Sequence, residues 1–236
     1  MDPYDLADPA AALAGLREVG FLVSLELHTS AVTELADVVL PVAPDAQRAG
    51  SYLNWEGRRS AFGPALDASG VLPDCRVLDT LAVEMDVDLF TQTPAAAAGD
   101  LARLGVQGFT ETPRVWGLVP PAPAVRPARL RLPGFGQAVL ATWRQLIDLS
   151  TLAVDEPALA GTARAAYVRC NAATADRLGL TAGAPATVRT ERGAVTLPVV
   201  IADLPDGVVW LPANSPGSRV RATLGAGHGD LVGVTA

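Results

Sequence analysis

The side chains best suited to bind a polar ligand lie on one loop of the sequence. Asn54, Glu56 and Arg58 occupy alternate positions in the stretch SYLNWEGRR, downstream of the apolar run at 38–40. In open α/β sheets, ligands bind beyond the carboxyl ends of strands, where an amide, a carboxylate and a guanidinium can hold a polar group. The same Glu and Arg can instead pair with each other and brace the loop. We favour this structural interpretation.

Two asparagines near the carboxyl end are further candidates for binding. Asn171 follows the apolar segment AAYVRC, and Asn214 lies in PANSPGSRV. Asparagine is also a common turn residue, and the run Asn-Ser-Pro-Gly is a strong turn sequence by itself. A structural role is therefore favoured for both residues as well.

Other chemistries lack the residue spacing that they need. The run GAGHGD at 225–230 has no Lys-Ser or Lys-Thr, so it is not a phosphate-binding P-loop. The two histidines, His28 and His228, are far apart in the sequence, and Cys75 and Cys170 have no C-x-x-C spacing. Metal sites, iron-sulfur clusters and disulfide frameworks depend on such clusters. We predict no catalytic residue, no metal site and no bound cofactor in this chain.

The composition excludes further classes of partner. The chain has 236 residues, half of them apolar, and a net charge of -7, and all of its 18 basic residues are arginine. Nucleic-acid binding depends on clustered cations, which the sequence does not contain. A bilayer-spanning helix needs about 20 apolar residues in a row, and no run approaches this length. We expect a cytoplasmic protein with no membrane span and no nucleic-acid partner.

Periodicity predicts an α/β segment over residues 1–90. Its elements are a helix capped by Asp8, a strand over 21–27, a short helix over 30–35, a strand over 37–40 and a helix over 75–85 capped by Asp74. Two parallel strands make an incomplete sheet. The segment is therefore expected to be the end of a larger domain, with Met1 an internal or misassigned start.

The rest of the chain divides into a connector and a barrel. Residues 91–160 are rich in Ala and Pro, with an extended stretch at 120–127. The connector is predicted to contain one helix, from the spacing of Val139, Leu140, Trp143, Leu146 and Ile147. Residues 161–236 consist of short β-rich segments separated by Gly and Pro and interrupted by a predicted helix at 172–178. This pattern is typical of a small all-β barrel.

Two of these segments resemble a known family. ADVVLP followed by GSYLNWEGR is similar to the third domain of the molybdopterin oxidoreductase superfamily. Within that superfamily the resemblance is greatest to the G subunit of the proton-pumping NADH:quinone oxidoreductase, respiratory complex I. Residues 161–236 resemble the double-psi β-barrel that binds molybdopterin dinucleotide in the same superfamily. The resemblance implies the end of a Rossmann-like domain over 1–90, followed by a double-psi barrel.

The resemblance also implies a function. The full-length G subunit carries iron-sulfur clusters upstream, and this portion is expected to be a scaffold that supports electron transfer from NADH to quinone. Its partners would be other peripheral-arm subunits, on the cytoplasmic side of the plasma membrane. Vestigial pterin-side positions would be Asn54, Glu56, Arg58, Asn171 and Asn214. In this chain Gln47 and Arg48 stand where the family often has an acid, which weakens a ligand-binding role for the loop.

Two alternatives remain open from the sequence. The chain could be the carboxyl-terminal part of a true molybdopterin-dependent oxidoreductase of the formate dehydrogenase or nitrate reductase type, with the barrel holding the pterin. It could also be a standalone protein-binding module. Bound pterin and molybdenum in the full-length protein would distinguish the first of these from a component of complex I.

Overall fold

A computed structural model describes residues 2–66, 70–103 and 132–236. The chain divides into two compact units, one formed by Met1–Val19 with Ala128–Ala236 and the other by Gly20–Pro127. This division differs from the predicted domains, because the amino-terminal helix was expected with the α/β segment and lies with the carboxyl-terminal unit instead.

The amino-terminal helix α1, Pro9–Arg17, begins as the sequence predicts. The Asp8 side chain accepts a hydrogen bond from the Ala11 amide, and Pro9 occupies the first turn. The helix is tied to the barrel unit by an ion pair of 2.8 Å between Asp8 and Arg192. Arg221 also donates to the Asp5 carbonyl at 2.8 Å. These bonds explain why α1 belongs to that unit.

The second unit contains two strand pairs and two helices. Strands β1, Val23–Glu26, and β2, Val38–Pro41, are parallel, in agreement with the predicted pair. Strands β3, Gly50–Leu53, and β4, Arg59–Phe62, form an antiparallel hairpin. Helices α2, Asp74–Glu84, and α3, Pro94–Arg103, follow.

Two local predictions in this unit are wrong. Residues 30–35 form turns, because the segment makes only one α-type hydrogen bond, from the Glu34 amide to the Ser30 carbonyl, before the chain enters β2. Asp74 is the first residue of α2 and not its cap. Its carboxylate accepts from Arg48 at 2.6 Å instead. The predicted extended stretch at 120–127 lies outside the described residues.

The first unit contains a closed six-stranded barrel, described within residues 132–236. The barrel strands are β5, Gln137–Trp143; β6, Val168–Cys170; β7, Pro185–Arg189; β8, Ala194–Ile201; β9, Val208–Pro212; and β12, Leu231–Thr235. Their order around the barrel is β12-β5-β9-β6-β8-β7, and β12 closes the barrel by pairing with both β5 and β7.

The first unit also contains short strands and helices outside the six barrel strands. A two-stranded ribbon joins β10, Asn214–Ser215, to β11, Ser218–Arg219. The helices of this part are α4, Pro157–Ala160; α5, Ala172–Leu178; and α6, Val220–Leu224. Helix α5 has the predicted bounds and ends at Gly179 with φ of 67°, a conformation that favours glycine.

The helix predicted from the spacing of residues 139–147 is wrong. Residues 137–143 form strand β5, which pairs in parallel with β9 and antiparallel with β12. Residues 138–141 are all apolar, so this part of the segment favours neither period by itself. Strand pairing decides, because β5 supplies backbone partners to both neighbours. The barrel predicted over 161–236 is therefore confirmed, but it begins further upstream.

The barrel interior is the hydrophobic core of the first unit. Inward and outward residues alternate along the strands, most clearly along β8. Burying a Leu or Val side chain contributes about 1.5–3 kcal/mol, so this layer dominates the stability of the unit. Residues with 0–2% exposure in the core are Ala138, Leu140, Val168, Cys170, Ala186, Val188, Val199, Val209, Leu211, Val220, Leu224, Val232 and Val234.

Among the helices that the structure describes, none has the length and apolar character needed to cross a membrane.

Closure of the barrel predicts unequal reactivity of the two thiols. Cys170 is fully buried in the core, and burial raises the pKa of its thiol, which lowers the reactive thiolate fraction. Cys75 is half-buried and serves as the internal control. We expect iodoacetamide to modify Cys75 well before Cys170 in the native chain, and both in concentrated guanidinium chloride, as measured by peptide mass spectrometry. Equal native rates would contradict a closed barrel.

Candidate functional site: a groove on the outer face of the barrel

Two polar side chains meet on the outer face of the barrel. Arg169 of β6 lies opposite Trp210 of β9 in an antiparallel register. Their neighbours along the strands, Cys170 among them, face the core with 0–1% exposure. Because strand side chains alternate, Arg169 and Trp210 point outward. Yet only 4% of Trp210 is exposed, which shows that other groups cover it.

Aromatic and cationic groups cover the Trp210 indole. The Trp143 ring at the end of β5 lies 5.2 Å from it, with the planes tilted by 49°. The Arg169 guanidinium carbon lies 5.4 Å from the Trp210 ring centroid and 6.0 Å from that of Tyr167. Cation–π contacts of this kind hold a guanidinium in place. Trp143, Arg169 and Trp210 form the floor of the site.

A groove of about 780 Å³ opens beside this cluster. Its walls come from the end of β5 and the loop after it, from the segment before β6, and from the connection between β8 and β9. The groove is lined by Trp143, Arg144, Gln145, Leu146, Ile147, Thr162, Arg164, Arg169, Ala202, Asp203, Leu204 and Trp210.

Three buried polar atoms of groove residues have no hydrogen-bond partner among the described residues. They are the side-chain oxygen Oε1 of Gln145, Nε of Arg169 and Nε1 of Trp210. Two are N–H donors and one is an acceptor. A buried polar group without a partner costs about 1–3 kcal/mol, and such groups are rare in native proteins. Their concentration in one groove identifies it as the candidate binding site.

The described residues that line the groove carry more positive than negative charge. They include the guanidinium groups of Arg144, Arg164 and Arg169 and the carboxylate of Asp203. Arg144 is engaged by two bonds of 2.7 and 3.2 Å to Asp148 and one of 2.6 Å to Asp5. Within the described part of the chain, Arg164 and Arg169 make no ion pair. Two guanidinium charges thus remain for a ligand.

Asp148 fixes the loop that carries Gln145 and Leu146. Its side chain is 2% exposed and also accepts from the Ser150 amide at 2.9 Å. Burial by itself raises the pKa of the Asp148 carboxyl, but hydrogen bonds from Arg144 and Ser150 outweigh burial and hold that pKa below its ordinary value. The bond to Asp148 is also the main reason that the pKa of Arg144 is raised.

The loop residues predicted from the sequence lie in the other compact unit, at the tip of the β3–β4 hairpin. The Asn54 side-chain oxygen accepts from the Glu56 and Arg58 amides at 3.0 and 2.8 Å. Glu56 and Arg58 form an ion pair of 3.4 Å, with the Arg58 side chain 81% exposed. Each residue thus has a structural partner, and a contact with a pterin stays a prediction.

The two barrel asparagines have different surroundings. Asn171 caps α5 by accepting from the Thr174 amide at 2.8 Å and donates to Asp206 at 2.6 Å. Asn214 is buried in β10, and its Nδ2 has no hydrogen-bond partner among the described residues. The buried hydroxyl of Ser215 also has none there. Neither asparagine lines the groove. A pterin-side role stays a prediction for both.

Sequence reasoning missed Gln145, Arg169 and Trp210. They come from three separate segments, so no motif or fixed spacing joins them. One signal was present in the segment GVVWLP. Alternation places Trp210 on the opposite face from Val209 and Leu211, and a large aromatic residue outside a barrel often marks a binding surface.

The described residues also contain no group of three or more His, Cys, Asp or Glu side chains placed to hold a metal ion.

The buried ion pair predicts an acid-sensitive contribution to stability. Asp148→Asn should lower the free energy of unfolding at neutral pH by about 2 kcal/mol, because it leaves Arg144 without its buried partner. A carboxyl with a depressed pKa contributes stability above its ordinary value of 3.8, and this is lost as pH falls through the folded-state value. The difference between wild type and Asp148→Asn, measured by urea unfolding, should therefore shrink on acidification.

Asp5→Asn is the matched control, since it removes the exposed partner of the same arginine. It should change stability by less than about 1 kcal/mol. Equal losses from both substitutions would contradict a special role for the buried carboxylate.

The hairpin tip yields a second pair of substitutions. Asn54→Ala removes the acceptor of two backbone amides and should destabilise the second unit by about 1 kcal/mol. Arg58→Ala removes only an exposed ion pair and should cost less than about 0.5 kcal/mol. Urea unfolding of both variants measures the difference. A larger loss for Arg58→Ala would show that this arginine has a partner other than Glu56.

Comparison with known proteins relates the chain to one family. Residues 139–235 match the Molydopterin dinucleotide binding domain. The whole chain is 46% identical over 240 residues to the G subunit of NADH-quinone oxidoreductase from Mycobacterium tuberculosis and from Mycobacterium bovis, and spans 29% of their length. It is 43% identical over 233 residues to the same protein of Streptomyces coelicolor, covering 97% of this chain and 27% of the relative.

A solved structure supports the fold. The match to acetylene hydratase from Pelobacter acetylenicus covers 94% of this chain and 38% of the acetylene hydratase chain, with a TM-score of 0.53 and 17% sequence identity. At this identity the likeness concerns the fold alone. The identity to the mycobacterial and Streptomyces sequences over nearly the full chain confirms the resemblance to the G subunit of NADH-quinone oxidoreductase that is seen in the sequence.

Proposed function

We propose that this chain is a scaffold portion of NADH-quinone oxidoreductase. It supports electron transfer from NADH to quinone through iron-sulfur clusters that other parts of the full-length polypeptide hold. The observation that carries the proposal is the 46% identity to the G subunit over the whole chain. Because the chain spans less than a third of those relatives, activity and cofactors belong to the longer protein.

The surface of the second unit supports an assembled role. Three large side chains of the β3–β4 hairpin, Tyr52, Leu53 and Trp55, are 62%, 72% and 93% exposed. Tryptophan and tyrosine are enriched among the residues that dominate protein interfaces. We infer that the hairpin contacts another peripheral-arm protein, or another part of the same polypeptide, on the cytoplasmic side of the membrane.

The finer fold assignment is also a proposal. The β1–β2 pair is parallel, and two parallel strands do not make an independently stable sheet. Val38 and Val39 of β2 are 38% and 45% exposed, as expected where further layers are needed. We infer that the second unit is the end of a Rossmann-like domain, and that the barrel is of the double-psi type.

The name of the matching domain raises molybdopterin dinucleotide as a ligand of the barrel. Pyrophosphates are commonly held by a row of backbone N–H groups at a helix N-terminus. The groove residues lie on strands and connections. Within the described part of the chain, the groove offers two guanidinium groups without an ion pair, those of Arg164 and Arg169, and Asp203 also lines it. This donor set fits a single anionic group better than a pyrophosphate between two ring systems. We therefore propose that this groove does not hold the dinucleotide.

A purification tests the proposed function. The native polypeptide that contains this sequence should be tagged at its carboxyl end in its own host, extracted with a mild detergent and purified. We expect the tag to recover NADH-oxidising, quinone-reducing activity together with several partner proteins and stoichiometric iron. An untagged strain is the control.

Two results would contradict the proposal. Recovery of the polypeptide alone, without partners or activity, would favour a standalone binding module. Stoichiometric molybdenum and pterin, measured by metal analysis and pterin fluorescence, would favour a true molybdopterin-dependent oxidoreductase.

A further inference from the structure

We propose that the groove beside Trp210 binds a carboxylate side chain of a partner polypeptide, together with an adjacent apolar residue. The inference rests on the proposed function, since a scaffold must bind neighbouring chains, and it names the chemistry of one such contact. The groove was not among the sites predicted from the sequence.

The two orphan donors favour an anionic oxygen. The Trp210 indole is 4% exposed and lies 5.2 Å from the Trp143 ring, and its Nε1–H has no partner among the described residues. Arg169 is held over the same ring, with its Nε–H also unpaired among the described residues. A carboxylate has two oxygens that can accept both bonds, and a charged acceptor forms the stronger ones.

The orphan acceptor favours a polypeptide over a free anion. Gln145 presents a buried Oε1 with no donor in the described structure. Free phosphate at neutral pH offers mainly acceptors, whereas a peptide carries a backbone N–H close to each side chain. An acidic residue of a partner carries both kinds of group, an acceptor for Arg169 and Trp210 and a donor for Gln145.

The groove walls favour an apolar residue beside the carboxylate. Leu146 is 98% exposed and Trp143 is 55% exposed, and both line the groove. Removing such surface from water stabilises a complex by about 25 cal/mol per Å². An acidic residue next to an aromatic one would cover both side chains while its carboxylate reaches the floor.

Charge complementarity limits the partner to a low negative charge. The groove has two guanidinium groups without ion pairs in the described residues, and Asp203 offsets part of their charge. The chain as a whole carries a net charge of -7, which repels strongly acidic partners at longer range. One carboxylate on a partner segment matches this balance.

Titration of the 236-residue chain by NMR tests the inference. The readout is the indole N–H cross-peak of Trp210, assigned with Trp210→Phe. The probes are acetyl-Phe-Glu-amide, the matched neutral acetyl-Phe-Gln-amide, and inorganic phosphate at equal concentration. We expect a saturable downfield shift with the Glu peptide and little change with the other two probes.

Arg169→Gln should weaken binding of the Glu peptide about tenfold or more, because it removes a charged donor. Arg17→Gln, a matched change in the last turn of α1 outside the groove, should leave binding unchanged. The amide spectrum of each variant reports whether the fold is kept, and the comparison of peptides on the wild-type chain does not depend on any variant.

Three outcomes would overturn the inference. They are no shift with the Glu peptide, equal shifts with the Glu and Gln peptides, and a phosphate shift as large as that of the Glu peptide, which would indicate a small-anion site. None of these depends on which complex the polypeptide joins, so the inference can fail while the proposed function stands.

Discussion

Closure of the barrel is the constraint on which the rest of the first unit depends. Strand β12 pairs with both β5 and β7, so each of the six strands has two neighbours and no barrel edge stays open. Closure fixes the register and therefore the face of every side chain. It places Arg169 opposite Trp210 on the outer face while their neighbours fill the core. The groove is a consequence of that register.

Much of the fold follows from local patterns in the sequence. Short β-rich segments separated by Gly and Pro predict the barrel strands β7, β8 and β9, and the Asp8–Pro9 pair predicts the start of α1. Local patterns failed where tertiary pairing overrides them. Residues 139–147 carry an apolar spacing compatible with a helix, yet the barrel needs a strand between β12 and β9. Nothing local indicates that α1 is held by Arg192 and Arg221, which follow it by more than a hundred residues.

The candidate site was harder to predict from the sequence than the fold was. Asn54 and Asn171 accept hydrogen bonds from nearby backbone amides, as asparagine side chains readily do. The groove residues could not be found in this way, since Gln145, Arg169 and Trp210 meet only after β5, β6 and β9 have assembled. Unpaired donors become visible only when burial and every neighbour are known.

A scaffold role and a catalytic role make opposite demands on the groove. A scaffold needs the contact for assembly, and the electron path does not pass through it. The most direct test is the full-length complex carrying Arg169→Gln, with the yield of assembled complex and the NADH-to-quinone turnover per iron measured on the same preparation. The account predicts a lower yield with unchanged turnover per iron. Full yield with reduced turnover per iron would contradict it.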